Sequence, residues 1–209
     1  MTKNNKLALA SNIVLIVLAG LGLYFSIADK NAFLYYSDNV GMFTLTASIL
    51  YVIIVLIKKE PTFLCLALRY VSTTCLVLTL VATFYVATTT GENYLDSFIK
   101  GSHLFNNLLC PIVSFVSFTM FEGDRRLNKK KTIWYALIPT VIYGIIMLVC
   151  NVSNTFTGPY PFMMINDNPV YLTVIVFVVT IVLNYVIGRF LLLSNQKHAP
   201  RRKKVNNGI

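Results

Sequence analysis

Apolar residues gather in six long runs, at about 7–28, 41–57, 64–88, 104–121, 133–150 and 169–194. Between them lie short stretches where charge, Gly and Pro concentrate. Each run reaches or nearly reaches the ~20 residues a helix needs to cross ~30 Å of hydrocarbon. Lipid cannot satisfy backbone polar groups, so each crossing must make its own hydrogen bonds as a helix. The pattern predicts an all-α fold, a single six-helix transmembrane bundle over residues 1–209.

Composition agrees. Of 209 residues, 56% are hydrophobic and 12% charged, too few charges to cover a soluble domain of this size. Charge then orients the bundle. Threaded alternately, the six spans put Lys3 and Lys6, Lys58, Lys59 and Arg69, the Arg125–Lys131 turn, Arg189 and the tail from Lys197 on one face. The other face holds only Lys30 and Lys100. Short-loop Lys and Arg stay cytoplasmic, so both termini are expected inside, with 195–209 as a basic cytoplasmic tail. The same asymmetry accounts for the net charge of +10 and removes the reason to invoke nucleic acid. The expected partners are membrane lipids, with a lipid or other small apolar molecule as a ligand. Short loops suit the plasma membrane of a bacterial cell. Residues 7–28 exceed the 7–15 of a signal-peptide core and read as a retained anchor. Cys65, Cys75, Cys110 and Cys150 show no C-x-x-C spacing; neither a metal nor a cofactor is expected.

Polar residues inside spans are costly and usually face the bundle interior. Thr44 and Ser48 are four apart in span 2; His103, Asn106 and Asn107 share a side at the start of span 4. Threading brings these two groups to the same outer depth. Hydroxyls and amides there serve either as glue between helices or as the lining of a polar cavity. A hydroxyl beside a His is also the minimum for nucleophilic catalysis. Arg69, near the inner boundary, either snorkels to headgroups or lies in the bundle bonded to a carbonyl or carboxylate.

Phe43-Thr44, Arg69, the stretch Cys110-Pro111-Ile112-Val113-Ser114-Phe115 through Phe121-Glu122, and Tyr160-Pro161-Phe162 before the last span carry a resemblance. Together they resemble the androgen-induced-gene and FAR-17a-like integral membrane family. The resemblance implies six spans and, in animal members, a threonine hydrolase of lipid esters. It points to Thr44 as nucleophile, with Thr46 as the alternative register. The family His falls where this chain has Asn106 and Asn107. Asn cannot act as a general base, so a hydrolase here would depend on His103, one turn further out.

Three functions follow. The first is a non-catalytic membrane protein, structural or binding through a polar cavity lined by Ser48, Arg69, Asn106, Asn107 and Tyr160. The second is a lipid-ester hydrolase using Thr44 and His103. The third is a small transporter, against which the spans as delimited hold no internal Asp or Glu.

Overall fold

The computed structural model describes residues 2–29, 34–89, 96–127, 131–155 and 169–198. All regular structure among them is helical. Six helices are long and apolar enough to cross a membrane: α1 (Lys3–Ala28), α2 (Tyr36–Lys58), α3 (Phe63–Thr89), a fourth span over Leu104–Phe121, α6 (Thr132–Val152) and α7 (Val170–His198). A one-turn helix α4 (Asp96–Ile99) precedes the fourth span, whose middle is α5 (Cys110–Val116). The chain is a multi-pass membrane protein by helix length and hydropathy.

The helices have legible ends. Thr2 caps α1 by accepting the Asn5 amide. Lys59 takes a left-handed backbone, φ 63, and its N–H closes α2 on the Val55 carbonyl. Pro61 two residues later cannot continue the helix. The excess apolar length after Pro61 stays in one helix. At about 1.5 Å per residue, the 27 residues of α3 exceed a straight crossing.

α3 is the centre of the bundle. It packs against α2, α6, α7 and the fourth span, and α1 packs on α2. Every residue from Arg69 to Leu76 is buried. Its hydroxyls are accommodated by back-bonding: Thr74 donates to the Tyr70 carbonyl and Thr79 to that of Cys75. By contrast, α7 presents most of its first half outward, from Val170 to Val182, and buries Asn184, Gly188, Leu191, Leu192 and Asn195.

The fourth span departs from an α-helix. Leu104–Leu109 and Ser117–Phe121 are π-helical; the Cys110 N–H reaches the Phe105 carbonyl and the Glu122 N–H that of Ser117, both five residues back. Buried residues here recur every four positions: Asn106, Cys110, Ser114, Phe118 and Glu122. With ~3.6 residues per α-turn that series would drift around the helix. Wider π-turns keep it on one seam, and such turns often sit at functional sites.

Two acids are placed differently from the expectation of the sequence pattern. α2 begins at Tyr36 rather than about 41, which brings Asp38 into the helix. Glu122, expected in a solvated inner turn, ends the fourth span and is 3% exposed. The premise that the bundle holds no internal carboxylate is therefore corrected. The cause is pairing: each acid has buried hydrogen-bond donors that water outside the bundle would otherwise supply.

Candidate functional site

Among the described residues the bundle interior carries three polar sets, two of them toward opposite ends. The inner one, named for the end where α2 closes and α6 begins, is built on Arg69, which is 0% exposed and so does not snorkel. A guanidinium has five N–H groups, and all are engaged. Nε–H faces Glu122 Oε1 and Oε2 at 3.4 and 3.3 Å. Nη1 donates to Ser48 Oγ at 3.5 Å and to Ser72 Oγ at 3.3 Å. Nη2 donates to Ser114 Oγ at 3.0 Å and pairs with Glu122 Oε1 at 3.2 Å. Glu122 Oε1 also accepts from Asn12 Nδ2 at 3.0 Å and Ser117 Oγ at 2.7 Å. Thr73 Oγ1 lies 2.7 Å from Ser114 Oγ. This one network ties α1, α2, α3 and the fourth span.

Its rim is fastened from α7 and the inner turns. Asn195 donates to the carbonyls of Phe118 and Glu122 at 2.8 and 3.1 Å and accepts the Asp124 N–H. Carbonyls at a helix end have no partner within the helix, and this amide supplies one. Arg126 grips Asp124 at 2.7 Å and the Pro61 carbonyl at 2.8 Å. The Asp124 hydrogen bonds raise the Arg126 pKa above its ordinary value.

The outer cluster is built on Asp38, 3% exposed. Ser26 Oγ donates to its Oδ2 at 2.8 Å, and Asn106 Nδ2 to its Oδ1 at 2.9 Å. Asn106 Oδ1 has no hydrogen-bond partner among the described residues. It lies against the Cα atoms of Gly22 and Gly41, so closely that a Cβ added at Gly41 would come within 2.5 Å of it. The Cα–H groups that replace those side chains are weak donors to such an oxygen. One turn further out, the His103 ring stands edge-on to Tyr35, centroids 6.1 Å apart, with Nδ1 buried and unpartnered among the described residues. A third set, Tyr36, Thr140 and Asn184, joins α2, α6 and α7.

The residues singled out from sequence divide among these clusters. Ser48 joins Arg69, and Asn106 joins Asp38. Asn107 is buried beside Asn106 in the chain. Thr44 is 0% exposed and donates its hydroxyl to the Val40 carbonyl of its own helix at 2.8 Å. Thr46 is exposed and donates to the Met42 carbonyl. No hydrogen bond among the described residues joins Thr44 to His103. Tyr160 lies outside the described residues. Cys65, Cys75 and Cys110 are buried free thiols. No group of His, Cys, Asp or Glu among the described residues is arranged to hold a metal ion.

Sequence reasoning missed Asn12, Ser26, Asp38, Ser114 and Glu122 as members. Two signals pointed to Asn12, Ser114 and Glu122: a lone Asn inside the apolar first span, and the four-residue series from Asn106 to Glu122. No family model, curated protein or solved structure matches the chain.

Proposed function

We propose that the chain is a non-catalytic, six-span protein of a bacterial plasma membrane, with both termini cytoplasmic. In this reading the Arg69–Glu122 cluster is a fixed brace, and any binding to the interior occurs at the outer end, near Asp38, Asn106 and His103. The observation that carries the reading is the exhaustion of Arg69's donors. A guanidinium with five engaged N–H groups has none left for a ligand. Ser72 and Ser117 spend their hydroxyls in the same way, on the Arg69 carbonyl and on Glu122.

Two further observations support it over the alternatives. The Thr44 hydroxyl, the nucleophile a hydrolase would use, donates to the Val40 carbonyl of its own helix and shares no hydrogen bond with His103 among the described residues. Transport gains the two buried carboxylates, but no hydrogen bond among the described residues links the Asp38 cluster to the Arg69 cluster. Along α2, Thr44 stands between Asp38 and Ser48, and its hydrogen bond goes to Val40. Leu15, Ala19, Ala47 and Cys110, all essentially unexposed, bring no further polar side chain except a thiol.

A fluorophosphonate probe tests for catalysis. The reading expects no covalent labelling of purified protein in lipid nanodiscs. Labelling that disappears in Thr44→Ala and in His103→Ala would revive the hydrolase. Loss of a general base typically lowers a rate by about 10²–10⁴-fold, so the His103 effect would be unmistakable.

Cysteine accessibility tests orientation. With Cys150 replaced, a membrane-impermeant maleimide on intact cells should leave Asn128→Cys and Val205→Cys unmodified until the membrane is opened. Modification from outside at either position sinks the proposed topology.

A further inference from the structure

Where α6 and α7 meet, two outward-facing aromatic residues stand at one level. The rings of Trp134 and Tyr185 are 6.2 Å apart, 62% and 41% exposed. Trp and Tyr collect at the headgroup boundary because their bodies are apolar and their tips polar. Beyond this pair, on the side where α6 begins and α7 ends, come two cations. Lys131 caps α6 with a helical backbone and stands one turn below Trp134. Arg189 is four residues beyond Tyr185 on the same face of α7. Both are exposed, and neither is in a salt bridge among the described residues.

On the opposite side of the rings the surface turns apolar. Ile138 and Ile142 continue the Trp134 face of α6, and Val182 and Val178 continue the Tyr185 face of α7. All four are more than half exposed. The seam between the helices is fixed from within: Asn184 donates to the Ala136 carbonyl and Thr140 Oγ1.

We propose that this seam binds one anionic phospholipid. The phosphate lies between Lys131 and Arg189, the glycerol region lies at the ring pair, and an acyl chain lies along the Ile and Val stripes. The order cation, aromatic ring, apolar stripe matches the order phosphate, glycerol, chain in the lipid. Charge complementarity selects an anionic lipid over a zwitterionic one. The site is distinct from both interior clusters and does not depend on what they do.

The test uses the full chain in nanodiscs of equimolar phosphatidylglycerol and phosphatidylcholine. After transfer to mild detergent, native mass spectrometry counts the lipids retained. Two cations at about 1 kcal/mol each correspond to about thirty-fold enrichment of phosphatidylglycerol. Lys131→Gln with Arg189→Gln should abolish the enrichment. Arg189→Lys should keep most of it, and Trp134→Ala should reduce retention of both lipids. Lys58→Gln with Lys59→Gln removes equal charge from another basic turn and should leave it unchanged. Circular dichroism confirms that each variant keeps its helices. Enrichment unaffected by the Lys131/Arg189 pair, or lowered equally by the Lys58/Lys59 pair, overturns the site in favour of diffuse surface attraction. A two-chain species that excludes lipid until dissociated overturns it in favour of a dimer contact.

Discussion

Glu122→Ala is expected to remove most of the folded protein. It strips Arg69 of the one carboxylate it pairs with among the described residues, at a position with no exposure, and takes the acceptor from Ser117 and from one of the two Asn12 amide protons, the other staying on the Ala8 carbonyl. Breaking a buried ion pair from one side typically costs about 3–5 kcal/mol, a large share of the ~5–15 kcal/mol that holds a domain together. Glu122→Gln should be nearly as damaging, although it keeps the shape and an acceptor oxygen, because the guanidinium charge remains uncompensated. Arg69→Met combined with Glu122→Leu removes both charges and should recover much of the loss, since apolar replacement of a whole buried pair is often neutral or better. The measurement is the midpoint of thermal or detergent unfolding, with protein yield as a second readout. Wild-type stability in Glu122→Ala would show that water reaches Arg69, and the brace would be refuted. A double variant no better than Glu122→Ala would shift the weight from charge to the Ser and Asn hydrogen bonds.

That pair also marks where the sequence stopped being legible. The six spans followed from run length and from the absence of charge within them. Helix ends added detail because Thr2, Lys59 and Pro61 obey local rules. The fate of Arg69 did not follow from its own neighbours. A cation seven residues into a span can snorkel or pair, and the choice depends on a partner 53 positions away. That partner looked like part of a solvated turn, since Glu122 is followed by Gly123, Asp124 and two arginines. Only the π-turns bring it back onto the seam. A period of four reads as ordinary α-helix in a sequence, and nothing in the composition of Ser117–Phe121 announces five-residue closure.

The outer cluster was legible in another way. Helical spacing groups His103, Asn106 and Asn107 on one span, and Thr44 and Ser48 on another. Spacing gives a face but not the partner across from it. Ser48 therefore belongs with Arg69, a turn deeper than expected, and Asn106 belongs with Asp38 and the first span. The two glycines that admit Asn106 are silent in the sequence, where Gly22 looks no different from Gly20. Their difference lies entirely in what stands opposite.

That difference sets the second large effect. Gly41→Ala is expected to destabilise the bundle, whereas Gly20→Ala should be neutral or slightly stabilising. A Cβ at position 20 meets nothing within 4 Å, while one at position 41 comes within 2.5 Å of Asn106 Oδ1 and 2.9 Å of its Cγ. Asn106 cannot retreat, because Gly22 bounds it on the other side and its Nδ2 is committed to Asp38. Overpacking of this kind costs about 1–3 kcal/mol. Gly→Ala in an open helical position gains up to about 1 kcal/mol, so the two variants should separate clearly in unfolding midpoint. Asn106→His extends the argument to function. If the chain kept the geometry of a threonine hydrolase, a His here would supply the missing base and raise activity. The packing predicts the opposite. An imidazole is larger than the amide it replaces, and the wedge between the two glycines has no space for it. A ring displaced from the wedge also leaves Asp38 Oδ1 without its Asn106 donor, at about 1–3 kcal/mol for a buried unsatisfied group. Asn106→His should therefore unfold earlier than wild type and gain no fluorophosphonate labelling. A stable Asn106→His protein that labels at Thr44 would overturn both the wedge and the non-catalytic reading.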